Sequence, residues 1–421
     1  MGVWDDLAKP ETHVRLLTHP MQTAVRDRIV ELIRELRAVK DLHDLRGVQE
    51  HLLGWLVGAE REYGKQSRLA KRAEGDPIDL LFWRRAVSQL RTVGDGIAWR
   101  FLGYRRQWIF LMGMNEPPGM WSDKAGSEDE WALFNQHWDA GEPTLLTGLT
   151  AGIRLGDLLV ARDDQLMVNE VKKNPKRFGG KQRRALEQLV RQANIEPRIS
   201  RPEGDTWVLE SEVPYATYWS QAAPELRRAL DGGLATWVPT PGVALMITAG
   251  RYTDMPSPEA VAKRIAEVQA EATEKMGKVT HRIVTQTHER PIAVARAVPP
   301  SIYPVDSELA GLIVSGEMLL KIEVGVDRLV ERLDAEGLRA EIVLPDEHSK
   351  LTGGDGMLRW DAPDGSRGLL HAGAMNELAL DLTDLDAWAR AIATAPKAPE
   401  SQRWGTYLCF ANEGEIWAPN L

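Results

Sequence analysis

A mixed α/β fold is predicted from two hydrophobic patterns. Between about residues 21 and 110, apolar side chains recur at three- and four-residue spacing, for example over 29–36, which is typical of amphipathic helices. From about residue 144 onward, apolar residues form short runs bounded by Gly, Pro and Asp, which favours strands. The composition, 43% hydrophobic and 27% charged, is that of a globular chain rather than a disordered one.

The length of the chain predicts more than one domain. At 421 residues, the chain exceeds what one hydrophobic core usually holds. We therefore expect a helical N-terminal region over 1–125, a compact α/β domain over 126–225 and an acidic α/β domain of unknown role over 226–421.

The N-terminal region is predicted to be a helical bundle. Pro77 favours the start of a helix from Ile78 to about Thr92. Residues 61–108 hold 11 basic and 5 acidic side chains, interleaved with the aromatic residues Trp83, Trp99, Tyr104 and Trp108. Such a mixture can grip nucleic acid through phosphate contacts and stacking. A bundle with a solvated arginine face is the commoner structure, and we favour it.

The compact domain is predicted to begin with a helix. Ser127 and Glu130 have the spacing of a capping box, which would open a helix that ends near Asp139. A metal-binding role for Glu130 is the alternative, and we favour the cap. The expected elements that follow are the strand-like runs Thr144–Leu149, Asp157–Ala161 and Leu166–Lys172, a helix over Lys181–Asn194, and strand-like runs at Thr206–Leu209 and Val243–Thr248.

The C-terminal region is predicted to alternate helices and strands. Its expected elements are helices at Pro258–Lys275 and Val326–Glu336, strands at Arg282–Thr285 and Ala340–Leu344, and a Gly- and Asp-rich loop over 352–367. None of its histidines, His281, His288, His348 and His371, has the spacing of a metal or triad motif. We assign no chemistry to this region.

Composition excludes several classes of function. Cys409 is the only cysteine, so neither an internal disulfide nor a cysteine-based metal site can form. The first residues lack the basic and apolar segments of a signal peptide, and no apolar run is long enough to span a bilayer. We expect a cytoplasmic protein that has no membrane partner.

The charge distribution indicates a polyanionic partner. The net charge is −9, but residues 151–204 alone hold 12 basic and 7 acidic side chains, whereas residues 205–421 hold 20 and 32. Because local fields decide where a polyanion binds, the basic segment outweighs the overall acidity.

The candidate site lies in two of the strand-like runs. Asp157 begins one of them, and Glu170 and Lys172 end the next. Alternation along a strand points Glu170 and Lys172 to the same side. A hairpin turning through 161–165 would bring Asp157 beside that pair, so two carboxylates and an ammonium are expected to meet at a sheet edge.

This grouping suits phosphodiester hydrolysis. Asp157 and Glu170 are hard oxygen ligands for Mg²⁺ or Mn²⁺, and the backbone carbonyl of Val171 is a further candidate ligand. A metal ion in such a site polarises the phosphoryl oxygen and activates a bound water. Lys172 would orient that water and stabilise the charge that develops on phosphorus oxygens. The alternatives are a structural salt bridge and an inactive, binding-only site.

The order Asp, about a dozen residues, Glu-x-Lys on an apolar strand and then a helix resembles the PD-(D/E)xK nuclease superfamily over about residues 128–210. The resemblance implies a restriction-endonuclease-like mixed sheet core. It also implies that Asp157 and Glu170 bind the metal ion and that Lys172 is the catalytic lysine. Gly156 stands where the proline that names the superfamily would be.

The helix after Glu-x-Lys extends the resemblance. Gln182 lies on the apolar stripe of that helix and resembles the accessory glutamine of such nucleases, although a solvent-facing glutamine is equally expected. Between Lys172 and Arg191 there are eight basic residues and one acid. The predicted nucleic-acid contacts are Lys173, Lys176, Arg177, Lys181, Arg183, Arg184 and Arg191.

The sequence therefore predicts a Mg²⁺- or Mn²⁺-dependent nuclease, with DNA favoured over RNA and endonuclease over exonuclease action. Defence against foreign DNA is the first expected context, and repair the second, both by analogy. The alternatives are an inactive nucleic-acid-binding or regulatory protein that keeps the nuclease fold, or a principal activity within 226–421. A homodimer or larger assembly and a protein partner of the C-terminal domain stay open.

Overall fold

The computed structural model describes most of the chain in segments. These are residues 10–112, 119–122, 124, 126–153, 156–162, 165–171, 198–201, 204–250, 258–287, 297–343, 356–365, 367–395, 405–410 and 413–417. Elements are numbered in chain order within these segments.

Within the described residues, five α-helices form the N-terminal region. They are α1 (Pro10–Leu17), α2 (Gln22–Ala38), α3 (Leu45–Lys71), α4 (Pro77–Phe101) and α5 (Arg106–Met112). The Asp76 carboxylate accepts a 2.8 Å hydrogen bond from the backbone N–H of Ile78, which caps α4, and Pro77 occupies its first turn. The helix runs nine residues beyond the predicted end at Thr92, because its second half is almost wholly buried against other elements.

Three of the four aromatic residues named above belong to the core, as the bundle prediction expected, and Trp83 is partly buried. Trp99, Trp108 and Tyr104 are buried. Several cations between residues 61 and 108 also have structural partners, since Arg100 donates to the backbone carbonyl of Val39 and Arg85 donates to that of Ser315. The mixture of basic and aromatic residues is therefore mainly a packing pattern.

The compact region begins with α6 (Ser127–Asp139), followed by a three-stranded antiparallel sheet. Its strands are β1 (Thr144–Leu146), β2 (Leu158–Arg162) and β3 (Gln165–Asn169), in the order β1-β2-β3. The predicted first strand is shorter than expected, because Thr147–Leu149 forms a 3-10 turn. The predicted third strand ends at Asn169, which leaves Glu170 and Val171 just beyond it.

A second sheet joins distant parts of the chain. Strands β4 (Arg198–Arg201) and β5 (Gly204–Ser211) form an antiparallel pair, and β5 pairs in parallel with β13 (Gly405–Phe410). The predicted compact and C-terminal regions therefore share a sheet. The described strands do not join β1–β3 to β4–β5, so a restriction-endonuclease-like core and the three region boundaries stay predictions.

The C-terminal half is built on a four-stranded antiparallel sheet. Its strands, in the order β6-β7-β9-β8, are β6 (Leu234–Thr240), β7 (Val243–Ala249), β9 (Met318–Gly325) and β8 (Arg282–Gln286). The helices of this half are α7 (Trp219–Gly232), α8 (Pro258–Met276), α9 (Ser307–Val314), α10 (Val326–Ala335), α11 (Ala372–Leu380), α12 (Leu385–Thr394) and α13 (Glu413–Trp417). The predicted helices α8 and α10 and the predicted strand β8 are confirmed.

A third small sheet corrects the predicted loop over 352–367. Strands β10 (Arg339–Ile342), β11 (Gly356–Asp361) and β12 (Arg367–His371) pair antiparallel. Two described glycines here have different reasons: Gly365, with φ +83°, lies in the turn between β11 and β12, whereas a Cβ at Gly368 in β12 would lie 2.0 Å from the Trp360 ring. Among the histidines, His281 contacts Asp327, and His288 and His348 lie outside the described residues.

The N-terminal bundle packs directly on the C-terminal half. Helix α2 lies against α9 so closely that a Cβ at Gly311 would be 2.3 Å from Val30 Cγ2. Buried Arg106 of α5 pairs with buried Asp381 at 2.6 Å, and Asp381 also accepts a hydrogen bond from the Tyr215 hydroxyl. The fold is therefore mixed α/β, as predicted. Within the described part of the chain, no helix combines the length and hydropathy needed to cross a bilayer.

Candidate functional site

The β2–β3 hairpin places Asp157 against the end of β3. The register pairs Leu158 with Asn169, and the backbone N–H of Asp157 donates to the Asn169 carbonyl at 2.9 Å. The Asp157 Oδ2 atom accepts a 2.7 Å hydrogen bond from the backbone N–H of Val171. The predicted hairpin is confirmed, and the Asp157 carboxylate lies on the peptide that joins Glu170 to Val171.

Gly156 has a backbone reason to be glycine. Its φ angle is +70°, in the left-handed region that glycine adopts readily. A Cβ there would lie 2.3 Å from Val168 Cγ1 and 3.0 Å from the Asn169 carbonyl oxygen. Proline is restricted to a φ near −65°, so the proline of the superfamily name could not adopt this turn.

Glu130 is a site residue that the sequence prediction assigned to the wrong role. The predicted capping box is absent, because Gly126, with φ +110°, is the cap of α6 and makes no side-chain cap. Glu130 shares the buried face of α6 with Phe134 and Trp138, and its side chain is 1% exposed. It lies in the first turn of α6, but its carboxylate lies next to Asp157 and makes no capping contact.

Lys124 contacts both acids. Its ammonium lies 2.5 Å from Glu130 Oε1 and forms an ion pair with Asp157 Oδ1. Burial raises the pKa of Glu130, and the charge of Asp157 raises it further, against the opposing effect of Lys124. Burial alone would lower the pKa of Lys124, but hydrogen bonds and charges from the two acids outweigh it and raise that pKa. Lys124 is therefore firmly cationic.

A buried ion pair holds the segment that carries Lys124. Glu60 of α3 and Arg91 of α4 pair at 2.9 Å, with side chains 0% and 4% exposed. Glu60 also accepts a 2.8 Å hydrogen bond from the backbone N–H of Ser122, and Arg91 donates to the Gly119 carbonyl at 2.5 Å. The helical bundle thus fixes the chain two residues before Lys124.

The same two helices fix the sheet behind the site. The buried Gln49 amide of α3 donates to the Thr144 carbonyl and accepts from the Leu146 backbone N–H, and so satisfies one edge of β1 as a neighbouring strand would. On α4, Asp95 accepts hydrogen bonds from the backbone N–H groups of Ala151 and Gly152, each at 2.8 Å. These contacts hold the loop that leads into Gly156.

The structure brings together only part of the predicted site. Glu170 is exposed at the end of β3. Within the described residues, no three or more His, Cys, Asp or Glu side chains form a group that could hold a metal ion, so Glu170 does not join the Asp157–Glu130 pair. The predicted site residues Lys172, Gln182, Lys173, Lys176, Arg177, Lys181, Arg183, Arg184 and Arg191 lie outside the described residues.

The sequence pattern favoured a capping role for Glu130 over the metal-binding alternative, and it did not identify Lys124. A signal for Glu130 is present, because it lies four residues before Phe134 and eight before Trp138 on a helix with 3.6 residues per turn. An acid on the apolar stripe of a helix indicates a buried charge with a task or a partner. Lys124 carries no comparable signal, since its position depends on the bundle contacts of the segment before it.

Comparisons with known proteins add no relative. No protein-family model matches the chain, and neither a curated protein nor a solved structure matches it. Functional inference therefore depends on the residues of the site itself.

Proposed function

We propose that this chain is a metal-dependent nuclease that hydrolyses phosphodiester bonds of nucleic acid, with DNA favoured over RNA and internal cleavage favoured over attack at ends. The observation that carries the proposal is the contact between the Asp157 carboxylate and the Glu170–Val171 peptide. The proposed metal site requires Asp157, at the start of one strand, to lie near Glu170 and the Val171 carbonyl, at the end of the next strand. The register of the β2–β3 hairpin supports this arrangement.

The donor set fits a hard divalent ion. Asp157 and Glu130 already lie side by side and would supply two carboxylates. Glu170, which does not join that pair in the ion-free chain, would have to turn toward the ion, and the Val171 carbonyl would add a further oxygen ligand. A buried carboxylate that has a like charge beside it is costly unless a cation compensates it. A Mg²⁺ or Mn²⁺ ion held by these residues would supply Lewis acidity toward the phosphoryl oxygen and would lower the pKa of a bound water.

The side chains of the chain would do the remaining work. Lys172 would donate to the attacking water and to the oxygens on which negative charge develops. The basic cluster that follows Lys172 would neutralise backbone phosphates on either side of the scissile bond, and binding should therefore weaken steeply as salt rises. Asp157 would keep its orientation through the Val171 hydrogen bond while it binds the ion.

A cleavage assay tests the proposal. The full chain is incubated with plasmid, single-stranded DNA and RNA in Mg²⁺, in Mn²⁺ and in EDTA. We expect cutting of at least one substrate, only with metal, and losses on the order of 100-fold in Asp157→Ala, Glu170→Ala and Lys172→Ala while binding persists. Glu128→Ala, an exposed acid on α6, is the matched control and should cut normally.

Two outcomes decide between the proposal and its main alternative. If the wild type binds nucleic acid and cuts none of the three substrates with either metal, the chain is a binding protein that keeps the site without turnover. If Glu128→Ala loses as much activity as Asp157→Ala, the loss reflects general disturbance of this region rather than the chemistry of Asp157.

A further inference from the structure

The cluster of Lys124, Glu130 and Asp157 has an unusual ratio of charges. One ammonium contacts two carboxylates, one of them only 1% exposed and the other 14% exposed. The Lys124 ammonium therefore occupies the space between the two acids, where an ion bridging them would lie. An ammonium and a divalent metal ion are both attracted to carboxylate oxygens. The metal ion carries twice the charge and forms shorter bonds to those oxygens.

Lys124 is not needed to hold its own segment in place. The segment is already fixed by the Ser122–Glu60 hydrogen bond and the Gly119–Arg91 hydrogen bond. Buried Trp121 adds an apolar anchor, because its ring would contact a Cβ placed at Gly148 at 2.8 Å. The Lys124 side chain adds its contacts with the two acids and a distant cation–π contact, 6.0 Å from the centre of the Trp121 ring.

Lys124 is also able to leave. Its side chain is 37% exposed, whereas Arg91, the structural cation nearby, is 4% exposed. Lysine carries a compact charge on a flexible four-carbon stem, so it can give up one set of partners for water at a modest cost. A fixed, bidentate arginine could not do this as readily.

We propose that Lys124 is an internal competitor for the divalent ion: its ammonium fills the position between Asp157 and Glu130 in the ion-free protein, and ion binding displaces it toward solvent. This inference rests on the proposed function, because it takes Asp157 and Glu130 as ion ligands. Lys124 thereby sets the ion concentration at which the site loads. It is a positioning residue, since it acts through the two acids.

The test measures ion binding directly, without relying on cleavage. Binding of Mn²⁺ to the full chain is followed by the paramagnetic resonance signal of free Mn²⁺, for the wild type, Lys124→Met and Lys124→Gln. Loss of the competing charge should tighten Mn²⁺ binding by about 10-fold or more in both variants. Lys65→Met removes an exposed lysine that pairs with Glu62 and should leave Mn²⁺ binding unchanged.

Folding of the variants is checked in the same experiment. Without its lysine the acid pair repels itself, so Lys124→Met should melt at a lower temperature than the wild type in EDTA and gain more on addition of Mn²⁺. Lys124→Gln keeps a hydrogen-bond donor to the acids and serves as the second variant if Lys124→Met is unfolded without the ion.

Each outcome has one meaning. Tighter binding in the Lys124 variants, abolished by adding Asp157→Asn, supports the competitor role. Wild-type binding that is unchanged or weakened in both Lys124 variants overturns that role and leaves the proposed nuclease site standing. No binding of millimolar Mn²⁺ by the wild type or by either variant overturns the ion site itself, and the proposed function with it.

Discussion

Two ion-pair clusters lie at the two ends of residues 119–124, and they differ in how their charges are matched. Arg91 and Glu60 are one cation and one acid, both buried, and the second oxygen of Glu60 accepts a backbone N–H. Lys124, Glu130 and Asp157 are one cation and two acids, and the cation is partly exposed. The first cluster is closed and fixes the backbone. The second has a surplus negative charge and an accessible cation, which is what an ion-exchange site requires.

The largest loss of stability is expected when the buried Arg91–Glu60 ion pair is broken. Glu60→Gln removes the carboxylate that pairs directly with the buried Arg91 guanidinium and leaves only the charge of Asp95 nearby, which costs about 3 to 5 kcal/mol of unfolding free energy. Burial already lowers the pKa of Arg91 against the favourable charge of Glu60, so the guanidinium depends on this partner. Urea denaturation of the full chain measures the loss.

The control for this prediction is another glutamate of α3. Glu62→Gln removes the exposed partner of Lys65, and a surface pair of this kind should contribute less than about 1 kcal/mol. Equal losses in the two variants would falsify the view that the Arg91–Glu60 pair holds the segment.

A smaller loss of unfolding free energy is expected from a substitution at Gly156, in the turn that precedes Asp157. Gly156→Ala places a Cβ in left-handed backbone and 2.3 Å from Val168 Cγ1, so strain and a clash add. We expect a loss of about 2 to 3 kcal/mol. Gly141→Ala is the matched control, because Gly141 has φ +78° but nothing lies within 4 Å of its Cβ.

The difference between these two glycine variants isolates the contact with β3. Gly141→Ala should cost only the backbone strain, about 1 kcal/mol. If Gly156→Ala lowers the unfolding free energy no more than Gly141→Ala does in the same urea titration, the close contact between position 156 and Val168 of β3 does not contribute to the loss.

Local patterns predicted the part of the site that is local in sequence. The β2–β3 hairpin joins neighbouring apolar runs, so alternation and a short turn were enough to place Asp157 beside the peptide that joins Glu170 to Val171. Helices α8 and α10 have a clear 3.6-residue period and were predicted close to their observed bounds. In these elements the pattern and the packing favour the same structure.

Long-range packing decided what the sequence could not predict. The pairing of β5 with β13 joins residues about 200 positions apart, and no local signal marks it. Glu130 matched a capping pattern, but α6 begins after Gly126 and buries that face against the sheet, so burial rather than capping determined its role. The β11–β12 hairpin was mistaken for a loop because glycines occur both in its turn, at Gly365, and within β12, where Gly368 leaves room for the Trp360 ring.

The smallest change in stability is expected in the cluster of Lys124, Glu130 and Asp157, when Glu130→Gln removes the surplus negative charge. Burial, with the neighbouring Asp157 charge, raises the pKa of Glu130, which means that the fold disfavours the ionised form relative to the unfolded chain. Glu130→Gln resembles the protonated acid, so the ion pair lost with Lys124 is offset by relief of burial and repulsion. We expect the unfolding free energy in EDTA to change by about 1 kcal/mol or less.

The same substitution should nevertheless reduce Mn²⁺ affinity, by about 10-fold, because an amide is a poorer ligand for a hard cation than a carboxylate. Glu128→Gln, two residues away on the exposed side of α6, should change neither quantity. A loss of stability in Glu130→Gln as large as that in Glu60→Gln, with unchanged Mn²⁺ affinity, would assign both clusters the same structural role. The two clusters differ in role if Glu130→Gln leaves the unfolding free energy nearly unchanged and weakens Mn²⁺ binding, whereas Glu60→Gln mainly lowers the unfolding free energy.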